Sequence, residues 1–207
     1  MKILAINTSE INAQIAICVE DKNYFKELDS SMKHSENLLP EIEKLLNESN
    51  IALKELDAIA VNVGPGSFTG LRISIATVKA FLDVFRNIKC IKLTSFELLA
   101  SKYYKNNNKN ATFVLDALSG LYFVQKLNQE LESDCPPKMI NKEELRNYEN
   151  IVSNKLIDNA EVTLESFDVE ILLELAKQKF RAQSFISESE LLPLYIRPSQ
   201  AEANRKV

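Results

Sequence analysis

Apolar and polar positions along this chain alternate in two rhythms, and the switches between them mark its elements. Residues 3–6 are apolar, Asn7-Thr8-Ser9-Glu10 is turn chemistry, and residues 13–19 are apolar again. A second turn, Asp21-Lys22-Asn23, precedes residues 24–28, so this stretch predicts an antiparallel meander of three strands. The period then lengthens. Leu38, Leu39, Ile42, Leu45 and Leu46 recur at helical spacing, with Glu41, Glu43, Lys44 and Glu48 on the other side. Pro40 either begins that helix or kinks it. Residues 57–63 predict a buried strand, 64–69 a sharp loop, 70–85 a second helix and 88–93 another strand. Ser95–Tyr104 predicts a short helix, and the Asn-rich residues 105–110 are the expected domain boundary.

Beyond that boundary, residues 112–115 and Leu121–Leu127 predict a strand pair around Asp116-Ala117-Leu118-Ser119-Gly120, and residues 169–180 a helix. The second half thus reads as a shorter version of the first. The expectation is an α/β fold with parallel strands, divided into a lobe of residues 1–105 and a reduced one of residues 106–207.

Composition narrows the class. With 207 residues, 45% hydrophobic and 26% charged, the chain can bury a core without disulfides or metals. The formal net charge of −4, without a sustained basic run, argues against a dense phosphate-backbone surface of its own. Any nucleic-acid role is then expected through a partner. Cys18, Cys90 and Cys135 form no CxxC pair, and the first two sit in apolar runs as buried thiols do. Scattered free cysteines, no secretory leader and no apolar run long enough for a membrane span predict a cytoplasmic protein.

One segment is chemically distinctive. Gly64-Pro65-Gly66-Ser67-Phe68-Thr69-Gly70-Leu71-Arg72 holds three of the four glycines, between a predicted strand and a predicted helix. Such a loop can aim amides at an anion. A P-loop, however, needs Lys and Ser or Thr after its last glycine, and Leu71-Arg72 follow Gly70. A dinucleotide fingerprint needs glycine where Thr69 stands and an acidic residue on the next strand, where residues 89–92 offer none. Either the glycines serve backbone geometry alone or the loop belongs to an interface. In the following helix Gly70, Ser74 and Thr77 make a small-residue stripe, while Leu71, Ile75, Val78 and Leu82 make a large apolar face. The large face is expected against the sheet; the small one either serves plain packing or lets another helix approach closely, within the chain or from a partner. Arg72 is either a surface-paired arginine or a contact to a partner or an anion.

Catalytic chemistry finds little support. His34 is the sole histidine, so no histidine pair can form, and the scattered cysteines lack the clustering or paired spacing of a Cys/His metal site; a structural role near the first helix is expected for His34. An actin-like ATPase or kinase-related enzyme would use Asp116 and the Gly-rich loop, with carboxylates holding Mg²⁺. The favoured reading of Asp116 is a turn residue bonding its own backbone, and its counterpart on the first strand is the neutral Asn7. Ser67 and Thr69 lack a neighbouring base. No catalytic and no metal-ligating residue is therefore assigned.

The segment Gly64–Arg72 with Ile73 resembles the signature loop of the TsaB family, also called YeaZ. Ile3-Leu4-Ala5-Ile6-Asn7-Thr8-Ser9 is similar to the family's opening strand and turn. So are His34 with Leu38-Leu39-Pro40, Leu56-Asp57-Ala58-Ile59, and Pro193-Leu194-Tyr195-Ile196-Arg197 at the other end. The family's opening turn usually carries Asp where Asn7 stands, and a basic residue often stands where Leu118-Ser119 does. The resemblance implies an actin-like ASKHA (ribonuclease H-like) fold of two related lobes. It also implies a scaffold role in making N6-threonylcarbamoyladenosine in tRNAs that read codons beginning with A. Its partners would be the transferase TsaD, whose paired histidines hold a metal, and the ATPase TsaE. ATP and metal would belong to those subunits, tRNA would be met only indirectly, and the chain could form a homodimer through the same helices. Carried onto this sequence, the interface would comprise His34, Leu38, Leu39, Ile42, Gly70, Ser74, Thr77 and Val78, beside the loop Gly64, Pro65, Gly66, Ser67, Phe68, Thr69, Gly70 and Arg72.

Overall fold

The computed structural model describes residues 1–157, 160–164 and 167–196. Its two compact units are not the two halves of the sequence: one comprises residues 1–95 and 168–193, the other residues 96–167 with the chain from 194 onward.

The first unit opens with the expected meander, β1 (Lys2–Asn7), β2 (Gln14–Val19) and β3 (Lys22–Glu27). β4 (Ala58–Asn62) and β5 (Lys89–Leu93) add in parallel on the far side of β1, giving the order β3-β2-β1-β4-β5. Helix α1 (His34–Glu48) follows the meander and α2 (Phe68–Val84) follows β4. Pro40 lies inside α1 on its solvent side, where a carbonyl released by the missing N–H reaches water.

Ile3, Leu4, Ala5 and Ile6 are all fully buried, and consecutive strand residues face opposite ways. Both faces of this sheet therefore need cover. α1 and α2 cover one face, and α5 (Val169–Arg181) covers the other through Ile171, Leu172, Leu173, Leu175 and Ala176. On β3 the two sides are visible directly. Lys26 reaches Glu41 of α1 at 3.6 Å, whereas Asn23, of opposite parity, accepts a 2.6 Å hydrogen bond from Lys177 of α5. This corrects the expected division at residues 105/106. The segment 168–193 returns to the first unit because its apolar helix covers the second face of that sheet. The expected helix Ser95–Tyr104, α3, forms as predicted, and from Phe96 it belongs to the second unit.

The second unit repeats the topology. β6 (Ala111–Asp116), β7 (Leu121–Leu127) and β8 (Lys138–Asn141) form an antiparallel meander. β9 (Ile151–Ser153) and β10 (Val162–Thr163) add in parallel, giving β10-β9-β6-β7-β8. Reading β6–β10 for β1–β5 reproduces the first sheet strand for strand. The counterpart of α1 is reduced to the single turn α4 (Lys142–Leu145), whose N-terminus is capped reciprocally by Asn141 and Glu144. On the other face of β6, Phe113 packs edge-on against Tyr103 and Tyr104 of α3. A duplicated mixed sheet with helices is an α/β fold of the actin-like kind.

Candidate functional site

The Gly-rich loop closes over the turn after β1, and its geometry follows from a knot of small polar side chains. Asn62 ends β4 and donates from Nδ2 to Asn7 Oδ1 (2.9 Å), Ser9 Oγ (3.0 Å) and Ser95 Oγ (3.0 Å). Its Oδ1 accepts from the Gly64 amide at 2.9 Å, which aims the chain into the loop. Asn7 Oδ1 also accepts from the amide and hydroxyl of Ser9, at 3.1 and 2.7 Å. Asn7, Asn62 and Ser95 are completely buried. Removing one partner of such a network leaves donors and acceptors unmade, at about 1–3 kcal/mol each.

Two glycines are explained by close approach. A Cβ on Gly66 would stand 2.5 Å from the Ser9 carbonyl oxygen, and one on Gly70 would fall 1.9 Å from that of Thr8. Thr8 Oγ1 donates to the Gly70 carbonyl and shares a hydrogen bond with Ser74 Oγ, both at 2.8 Å. Two further loop amides are engaged inside the chain. Ser67 N donates to Ser9 O at 2.8 Å, and Gly70 N donates to the capping Ser67 Oγ at 3.2 Å. This cap starts α2 at Phe68, two residues before the predicted start. The arrangement clamps α2 onto the β1–β2 turn.

Of the two readings left open for the small-residue stripe, the structure shows packing within the chain. Gly70 and Ser74 are buried against Thr8 of their own unit, and Thr77 is half-buried. Leu38, Ile42 and Val78 are likewise core residues. Of the expected interface set, Leu39 is exposed and His34 half-buried. His34 Nε2 donates to the Glu10 carbonyl at 3.1 Å, tying the start of α1 to the β1–β2 turn. That is a structural role.

What α2 does present to solvent is a different stripe. Ala76, Ala80 and Val84 are exposed, Ile73 and Phe81 are half-buried, and Phe68 is exposed at the amino end. The Arg72 guanidinium lies 3.9 Å from the Phe68 ring centroid, so it stacks on an aromatic face rather than turning into the loop. Solvent-facing helix positions normally carry charge. Here Arg72 and Asp83 bracket an apolar strip with two alanines one turn apart. The sequence did hold a signal: if Leu71, Ile75, Val78 and Leu82 face the sheet, the opposite side contains Ile73, Ala76 and Ala80.

Asp116 behaves as the turn residue. Its Oδ1 accepts the Leu118 amide at 2.9 Å and its Oδ2 pairs with Lys155 at 2.8 Å. Partial burial opposes ionisation, but the Lys155 hydrogen bond, the Leu118 amide and the Lys155 charge together hold its carboxyl below the usual carboxylate range. Burial pushes the Cys90 thiol up to about 12. Among the described residues, no group of three His, Cys, Asp or Glu side chains is arranged to hold a metal, and no helix is long and apolar enough to cross a membrane. Arg197, counted in the sequence resemblance, lies outside the described residues.

Comparison with known proteins agrees with this architecture. The family model for tRNA N6-adenosine threonylcarbamoyltransferase, TsaD, matches residues 28–135. The TsaB protein of Haemophilus influenzae is 26% identical over 95% of this chain and 94% of its own length. That of Bacillus subtilis is 36% identical, over 49% of this chain and 44% of its own. The structure of YeaZ from Pseudomonas aeruginosa superposes with a TM-score of 0.75 at 21% identity, covering 94% of this chain and 99% of that one. The chain belongs to the TsaD family of the actin-like fold, as one of its TsaB (YeaZ) members.

Proposed function

We propose that this chain takes part in tRNA threonylcarbamoyladenosine biosynthesis as a non-catalytic scaffold, which binds a TsaD-type transferase and positions a TsaE-type ATPase. The observation that carries the reading is the solvent side of α2: an apolar strip whose alanines admit a second helix at close range. The names of the relatives supply the pathway and the matching TsaD family model its catalytic partner. Several of the polar groups that could have made a phosphate site are engaged within the chain. Asn7 is neutral and buried, the Gly64, Ser67 and Gly70 amides are bonded, and Asp116 holds Lys155. In this reading ATP and metal stay with the partner subunits, and tRNA is reached through them.

The test is size-exclusion chromatography with light scattering, on the chain alone and mixed with its cognate transferase. Ala76→Arg and Ala80→Arg each place a charged side chain on the strip. Both are expected to keep the native circular dichroism and to lose the mixed complex. A complex that forms undiminished with both variants sinks the proposed surface. Nucleotide turnover by the isolated chain, lost in Asp116→Ala, would instead favour an actin-like enzyme.

A further inference from the structure

A second surface lies on β3. The two-residue turn Glu20-Asp21 joins β2 to β3 with Val19 opposite Lys22, and Leu28 N donates to Ala13 O at 2.8 Å. By the alternation of an antiparallel ladder, Lys22, Tyr24 and Lys26 turn their backbone groups inward to β2. Asn23, Phe25 and Glu27 then turn theirs outward. No described residue bonds those outward groups, and five of the six β3 residues are exposed. The other sheet edges are closed or short: β5 is bridged by Ile186, β8 has four residues and β10 two. A six-residue open edge is a template for another strand.

The side chains identify that strand. We propose that β3 pairs antiparallel with β3 of a second copy of this chain, about a two-fold axis at Phe25. In that register Phe25 meets Phe25 of the other copy, Asn23 meets Glu27, and Tyr24 meets Lys26. Every outward N–H finds an outward carbonyl, and no like charges face one another. The groove beside the edge, between β3 and α5, is lined by Phe25 and Leu173 for the incoming ring and by Lys177 near Asn23. An incoming Glu27 arrives beside that ammonium. A register shifted by two residues in either direction puts Phe25 opposite Asn23 or Glu27 and leaves outward groups unpaired. The surface is separate from the α2 strip, because α2 and α5 cover opposite faces of the sheet, so this inference does not depend on the scaffold reading.

Analytical ultracentrifugation over a concentration series tests it, in an Ala76→Arg background that removes pairing through α2. The expected result is a monomer–dimer equilibrium that Phe25→Pro weakens by at least about tenfold. Proline at this position removes only an outward N–H, so the β2 ladder survives and circular dichroism should be native. Glu27→Lys should weaken the dimer similarly, and Glu27→Lys with Lys177→Glu should restore it. Hydrogen exchange should protect the amides of Asn23, Phe25 and Glu27 as concentration rises. A strictly monomeric Ala76→Arg protein, or a dimer indifferent to both β3 variants, overturns the proposal.

Discussion

Gly70 shows how a residue that looks functional can be demanded by packing alone. Its missing Cβ lets α2 approach the Thr8 carbonyl, and the Thr8 hydroxyl locks the contact by bonding the Gly70 carbonyl and Ser74. Gly70→Ala should therefore act as overpacking and cost about 3 kcal/mol. A thermal melt should fall by about 6–12 °C; an unchanged midpoint would mean the clamp is loose. Thiol reactivity offers a second check at this scale. Cys18 and Cys90 are buried and Cys135 is exposed. Burial also holds the Cys90 thiol protonated far above neutral pH, and the thiolate is the reactive form. A disulfide reagent at pH 8 should titrate Cys135 quickly in the native protein and all three cysteines only after denaturation. Rapid native reaction of Cys90 would contradict its placement in the core.

At the scale of elements, α2 has two small-residue stripes with opposite duties. Gly70 and Ser74 let the helix sit down on its own unit; Ala76 and Ala80 are exposed on the other side, where the proposed partner would dock. The same arginine substitution should therefore have different consequences on the two stripes. Ser74→Arg buries an unpaired cation and should abolish folding, whereas Ala76→Arg should abolish only association. Circular dichroism and light scattering on the two variants separate these outcomes. Equal melting temperatures would show that Ser74 is not in the core.

The whole molecule depends on a segment distant in sequence. α5 closes the second face of the first sheet, where β1 carries four consecutive apolar residues with no exposure. A chain ending at residue 167 should lose both the cooperative unfolding of the first unit and its solubility, even though it retains all five strands of that sheet. Resolved backbone NMR spectra from such a truncation would show that α1 and α2 suffice. Strand order was legible only in part. The meander and the parallel β4 and β5 follow from turn residues and alternating elements. The register of β9 and β10 does not, because strands of three and two residues carry no periodicity.

The local elements were written in the sequence. Turn residues placed the first hairpins, helical spacing placed α1, α3 and α5, and the glycine-rich segment announced a tight passage between strand and helix. These are effects of neighbours, and they need only a few residues of context. Tertiary structure alone decided that the Gly70 and Ser74 side of α2 is buried along with its large apolar face, since the residue that makes Gly70 necessary is Thr8, 62 positions away. It also decided that α5 belongs with the first sheet. An apolar helix face carries no address of its own; the uncovered face of the sheet supplies one.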